Sequence, residues 1–264
     1  MEEKTSREYW DTVWKNRPIP LPLDPTTKGL NGYINRKFHD YFSRVLNKTN
    51  IKPGASLVEV GCGGSSILPY FTKVFGLKTE GMDNSKSGCI LSRAIAQKSG
   101  IHSEIHEVDV LNLPKKLQNN YEFVYSNGFV EHFTPTEKIV KVLASLAKPG
   151  GYILTIIPNM KGVVGFLQKI LNPPIYHIHV PLDVLQLTEA HEQSGLEVVE
   201  SHYFLTANFG VLNFDGDRTR IPESLGRRLT SWTSKSIWIL EGAGLPNFPN
   251  SWTSPYIICL ARKP

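Results

Sequence analysis

The sequence predicts an α/β chain built on a doubly wound, mostly parallel sheet with helices on both faces, and three observations carry that expectation. Leu57, Val58 and Val60 form a short apolar run that stops at Gly61-Cys62-Gly63-Gly64, the pattern of a buried strand ending in a turn whose bare backbone a ligand can approach. Ser65 and Ser66 then open a helix, and Pro69 is tolerated in its first turn because the missing N–H has no intrahelical partner there. Strand-like and helix-like stretches go on alternating to the C-terminus, as βαβ units do.

Composition narrows the class. At 264 residues and 41% hydrophobic content, one large domain with a lid is expected. No run approaches the roughly 18 apolar residues of a membrane span. The charged start Met1-Glu2-Glu3-Lys4 leads into no apolar signal core, so a cytoplasmic protein is expected. Cys62, Cys89 and Cys259 lie far apart, without a Cys-x-x-Cys pair, and offer neither a disulfide framework nor a zinc site. A net charge of +5 is modest for a nucleic-acid binder.

Residues 1–50 precede the first strand. Tyr9, Trp10, Val13 and Trp14 share one face of a short helix, which prolines 18, 20 and 22 break. A second helix is expected over 31–46, with Tyr33, Ile34, Phe38, Tyr41, Phe42 and Val45 on its apolar stripe.

At the first strand, a dinucleotide fingerprint requires glycine at its first, third and sixth positions; Gly61 and Gly63 fit, but the sixth is Ser66, which disfavours NAD. Glu59 stands two places before Gly61. On Glu59-Val60-Gly61-Cys62-Gly63 the sequence resembles the class I S-adenosylmethionine-dependent methyltransferases of small-molecule type, whose first motif runs acid-x-Gly-x-Gly-x-Gly. It departs from that pattern at Ser65, where the third glycine usually stands. The resemblance covers about residues 52–262 and implies a Rossmann-like methyltransferase fold of seven strands with an antiparallel last strand. It also implies S-adenosylmethionine as cofactor and S-adenosylhomocysteine as product, with the loop of Glu59, Gly61, Cys62 and Gly63 passing under the methionine part. In the same family a preamble such as residues 1–50 folds over the site as a helical lid, which makes Tyr9, Trp14 and Tyr33 candidate acceptor-pocket walls beside their plain reading as packing residues.

Residues 78–83 read as the second strand, and Asp83 ends it 83 − 61 = 22 residues after the first motif glycine, followed by Asn84. Such an acid either accepts the two ribose hydroxyls or caps the next helix, expected over 87–99. Residues 105–110 read as the third strand and its exit, where the resemblance gives Asp109 to the adenine amino group and a backbone donor to Val110. The fourth strand, 121–126, runs into Asn127-Gly128-Phe129-Val130-Glu131-His132-Phe133. Open α/β sheets bind ligands beyond the carboxyl ends of their strands, so Asn127 joins the cofactor set and Glu131 and His132 become the catalytic candidates. This string resembles the Ser-x-Gly-x-x-Glu-His-Phe segment of small-molecule methyltransferases. Asn172-Pro173-Pro174-Ile175 mimics the Asp/Asn-Pro-Pro-Tyr/Phe of enzymes that methylate adenine or glutamine amides, but it follows the fifth strand, 152–157, and ends in Ile.

Helices are expected over 136–147, 160–171 and 182–194, with strands over 196–204 and 256–262. Residues 176–181 read as an extended link in which His177 and His179 point to opposite sides, so one of them reaches the acceptor. A metal site on this pair is not expected, since no third ligand sits at a recognisable spacing. The catalytic core is thus 51–204 with 256–264, and 205–255 is an insertion. Its helix, 222–241, carries Leu225, Leu229, Trp232, Ser236 and Leu240 along one side and is locally basic through Arg218, Arg220, Arg227, Arg228 and Lys235. A substrate lid, a homodimer contact, an anion site and a solvated face all fit it.

The chemistry follows from the cofactor. A sulfonium already carries a good leaving group, so catalysis is mostly positioning of the acceptor. A base is needed only where a proton must leave, and His132 is either that base or a hydrogen-bonded wall. The expected reaction is methylation of a hydroxyl oxygen on a small molecule, with RNA or protein as the alternative acceptor and a non-catalytic scaffold as the remaining one.

Overall fold

The computed structural model describes residues 1–15, 17–215 and 219–264, so Arg218 of the basic insertion lies outside the described residues. In chain order the elements are β1 (Glu2–Glu3), α1 (Arg7–Trp14), α2 (Tyr33–Lys48), β2 (Ser56–Val60), α3 (Leu68–Phe75), β3 (Lys78–Asp83), α4 (Lys86–Lys98), β4 (Glu104–Glu107) and β5 (Tyr121–Asn127). They continue with β6 (Phe133–Thr134), α5 (Thr136–Leu146), β7 (Ala147–Pro158), α6 (Val163–Leu171), α7 (Pro173–His177), α8 (Val184–Gln193), β8 (Glu197–Phe204), α9 (Glu223–Gly242) and β9 (Tyr256–Arg262).

Seven strands form one sheet in the order β4-β3-β2-β5-β7-β9-β8, parallel except that β9 runs antiparallel to both β7 and β8. Period-2 alternation divides each central strand between two cores. Val58 and Val60 of β2, Ile153 and Ile157 of β7, and Ile257 and Cys259 of β9 pack on one face with Ile139, Leu143 and Leu187. Leu57, Leu154, Ile156, Ile258 and Leu260 pack on the other with Phe42, Phe71 and Tyr70. Burial on both faces explains why these strands read as continuous apolar runs. The strand order turns back between β2 and β5, which opens a crevice beyond their carboxyl ends.

The structure corrects one sequence expectation, the extended link over 176–181, and sharpens two others. The third strand stops at Glu107, because the Asp109 side chain accepts from the Leu111 amide at 2.9 Å and turns 110–112 into a 3-10 turn. The link expected over 176–181 begins as α7, with prolines in its first turn where their fixed φ favours a helix, so strand alternation does not place His177 and His179. The side of α9 bearing Leu225, Leu229, Trp232 and Leu240 faces outward, Trp232 being 78% exposed, while Gly226, Ser234 and Trp238 are buried. Spacing on a helix shows that residues share a side but not which way that side points. Among the described residues no helix is long and apolar enough to cross a membrane.

Residues before the sheet are tied across its top. β1 pairs with β6, and the Lys4 amide donates to the His132 carbonyl at 2.8 Å. Asp11 of α1 accepts from the Ser85 hydroxyl at 2.8 Å and the Ser87 amide at 2.9 Å, and so supplies negative charge at the N-terminus of α4.

Candidate active site

At the crevice between β2 and β5 lies a cleft of about 300 Å³, lined by Glu59, Gly61, Gly63, Asp83, Asn84, Asp109, Val110, Asn127 and His132 from the sheet and by Trp14 from α1. The strands end here because the chain after each one has a local reason to turn. Gly61 and Gly64 adopt φ of +76° and +65°, which side-chain-bearing residues rarely take. Gly63 is required for space instead: a Cβ there would lie 2.4 Å from Trp14 Nε1 and 3.1 Å from Asp83 Oδ2.

Carboxylates gather at this end of the sheet. Asp83 accepts from the Gly63 amide at 2.7 Å and the Ser85 amide at 2.8 Å, so it holds the glycine loop and steadies Ser85, whose hydroxyl caps α4 at the Gly88 amide. Burial pushes its pKa up to about 6 against those amide bonds. Glu59 is buried, receives the Ser65 hydroxyl, and is pushed up to about 8 by burial despite that bond. Glu3, carried in by β1, is raised chiefly by burial and further by Asp109 and Asp83. A site with four acids and no described cation among its lining residues favours a positively charged ligand.

The other end of the cleft is apolar and imidazole-bearing. Phe129 and Phe133 contact each other at 5.1 Å between centroids, and Trp10 meets His132 edge-on at 5.2 Å. His132 Nδ1 lies 2.8 Å from the Ile178 carbonyl, so that nitrogen carries the proton and Nε2 keeps its lone pair. Burial, with His179 adding to it, holds the pKa of His132 down to about 3.

Six other sequence candidates stand outside this lining. The Cys62 side chain turns under the sheet against Gly81 and Ile105. Tyr9 packs edge-on against Trp10, 5.0 Å away. Tyr33 stacks on Trp238 of α9 at 4.9 Å and donates to Glu241. His177 is exposed and lines a separate hollow with Pro173, Pro174 and Arg220. Glu131, 1% exposed, and His179 lie behind His132. Conversely, sequence reasoning left Trp10 and Phe129 without a role and missed Glu3 and Thr5 in the lining. Trp10 shares a helix side with Trp14 and was legible; Glu3 and Thr5 arrive through the β1–β6 pairing, which leaves no local pattern.

The residues fit an adenosyl sulfonium: a glycine loop bare enough for close approach, carboxylates for hydroxyls and positive charge, and a separate end for an acceptor. Comparisons with known proteins agree. The ubiquinone biosynthesis O-methyltransferase of Bordetella bronchiseptica is 27% identical over 152 residues, which is 54% of this chain, and the chain spans 63% of that relative's length. The geranyl diphosphate C-methyltransferase of Streptomyces coelicolor, solved with Mg2+, geranyl-S-thiolodiphosphate and S-adenosylhomocysteine, superposes with a TM-score of 0.62 at 14% identity, covering 98% of each chain. Phosphoethanolamine N-methyltransferase 2 of Haemonchus contortus, solved with S-adenosylmethionine, gives 0.58 at 15% identity over 99% of this chain and 57% of its own. These likenesses establish the fold. Residues 30–201 match the methyltransferase domain family, and the chain therefore belongs to the class I S-adenosylmethionine-dependent methyltransferases.

Proposed function

We propose that this protein transfers the methyl group of S-adenosylmethionine to a hydroxyl oxygen of a small-molecule acceptor, in a biosynthetic pathway of the cytosol. The carrying observation is one cleft that joins the acids Glu59, Asp83 and Asp109 to the end lined by Asn127, Phe129 and His132. In this reading Asp83 and Asn84 receive the ribose, Asp109 and Val110 the adenine, and Glu59 with Gly61 and Gly63 the methionine part. Asn127 borders the sulfonium, Trp10 and Trp14 roof the acceptor, and His132 faces the acceptor with Glu131 and His179 behind it. Cys62 contributes backbone alone, and Tyr9, Tyr33 and His177 have no place at this cleft. A roof of indoles favours a small acceptor over RNA or protein, and the name of the Bordetella relative favours oxygen as the methylated atom.

Residues 1–50 act here as the lid and 51–204 with 256–264 as the catalytic core. The insertion 205–255 presents an outward apolar side that suits a second copy of the chain. The test is incubation of the purified protein with methyl-labelled S-adenosylmethionine and a panel of phenols and alcohols, beside total RNA and a protein lysate. Label on a small hydroxyl compound, retained after base treatment that hydrolyses methyl esters and located on oxygen by mass spectrometry, is the expected result. Label on RNA or protein alone, or no binding of the cofactor and its product, overturns the reading.

A further inference from the structure

The turn 130–132 and the segment 178–180 are stitched together. The Val180 amide donates to the Glu131 carbonyl at 2.7 Å, and His132 Nδ1 lies 2.8 Å from the Ile178 carbonyl. His179 Nδ1 lies 2.6 Å from the Ile175 carbonyl. A carbonyl only accepts, so both rings carry their proton on Nδ1 and leave Nε2 with a lone pair. Metal-ligating histidines set their tautomer in this way, through the second nitrogen.

Next to these rings stands a buried carboxylate. Glu131 is 1% exposed and its Oε2 has no hydrogen-bond partner among the described residues. The ring centroids of His132 and His179 are 4.7 Å apart, and one donor atom from each of the three residues lies within 4.8 Å of the other two. Two rings presenting lone pairs offer that unpartnered Oε2 no proton to accept. Leaving such a group unsatisfied is costly, whereas one dication would satisfy all three donors together.

We propose that Glu131, His132 and His179 bind one divalent transition-metal ion at the acceptor end of the cleft. Two imidazole nitrogens with one carboxylate oxygen suit Zn2+, Co2+, Fe2+ or Mn2+ better than the oxygen-seeking Mg2+ and Ca2+. Three protein ligands leave a coordination position open, and one of the three, His132, lines the cleft. That the acceptor's oxygen takes the position rests on the methyl-transfer reading; the ion site itself does not. His177 and His179 do not form the site together, because α7 ends between them; the companions of His179 come from a turn 47 residues earlier.

The experiment is titration of the chelator-treated, dialysed full-length chain with Co2+, followed by visible absorption, and with Zn2+, followed by calorimetry. S-adenosylhomocysteine affinity is measured on the same preparations. One equivalent should bind with the bands of a low-symmetry N/O-coordinated cobalt, and His179→Ala and Glu131→Gln should each weaken binding at least about tenfold. His106→Ala, in the partly buried group of Glu80, Glu104 and His106, should leave it unchanged. If buried Glu131→Gln does not fold, the half-buried His179→Ala decides. No stoichiometric binding, or weakening by His106→Ala and none by His179→Ala, overturns the site. S-adenosylhomocysteine binding without cobalt binding removes the ion alone; cobalt binding without S-adenosylhomocysteine binding removes the methyl-transfer reading alone.

Discussion

The Ser65 hydroxyl donates to the buried carboxylate of Glu59, and the same oxygen accepts from the amides of Ile67 at 3.1 Å and Leu68 at 3.2 Å. Serine at the family's third glycine position therefore ties the end of β2 to the start of α3. Glycine there would strand the carboxyl and two helix amides at once. Ser65→Ala and Ser65→Gly should each lower stability by about 1–3 kcal/mol, read by urea unfolding; a change below about 0.5 kcal/mol would dismiss this tie.

Glu59 has a pKa near 8 and Asp83 near 6, both raised by burial. At pH 7 Glu59 is thus mostly protonated in the free protein. A cation placed beside these groups favours their ionised forms, so cofactor binding at pH 7 should release protons and apparent affinity should rise with pH up to about 8. Calorimetric enthalpies measured in phosphate and in Tris should differ accordingly, and Glu59→Gln should remove most of the difference. Equal enthalpies in both buffers would separate Glu59 from the cofactor.

Tyr33 connects α2 to the insertion, not to the cleft, through its stacking on Trp238 and its hydrogen bond to Glu241. Tyr33→Phe keeps the ring and removes the hydroxyl. It should cost about 1 kcal/mol of stability with S-adenosylhomocysteine affinity unchanged. An affinity loss with stability intact would return Tyr33 to the pocket.

His191 is fully buried, its Nε2 3.0 Å from the Thr155 hydroxyl and its Nδ1 2.8 Å from the Leu187 carbonyl. Burial lowers its pKa from 6.5 to about 4. The unfolded chain then binds this proton first as pH falls, so the group's contribution is complete above pH 6.5 and is lost between 6.5 and 4. The slope is at most about 1.4 kcal/mol per pH unit. His191→Gln should flatten the acid side of a stability profile by roughly one proton. An unaltered slope would show that His191 titrates normally.

The parts of the site legible in the sequence share one trait: each is encoded within a few residues. Glycines 61, 63 and 64 after an apolar run, and acids at 59, 83 and 109, announce themselves because strand ends and turns are local events with local residue preferences. Of the three residues that the family's lid suggested as pocket walls, Trp14 lines the cleft while Tyr9 and Tyr33 stand outside it, because helical spacing groups residues without aiming them. Asp83 shows the limit from the other side. It was expected either to receive a ribose or to cap α4; the cap is Ser85, and the Asp83 carboxylate lines the cleft while accepting from the amides of Gly63 and Ser85.

Local chemistry thus determined the α/β alternation, the glycine loop after β2 and the order of the acids, because strand periodicity and glycine's freedom act between neighbours in the chain. Tertiary structure alone decided that Glu3 and Thr5 reach the cleft through β1 and β6, that the apolar side of α9 faces outward, and that Glu131 and His132 meet His179. These outcomes depend on contacts between residues tens of positions apart, whose pairing is selected by packing of the whole sheet and leaves no repeat or spacing for a one-dimensional reading to find.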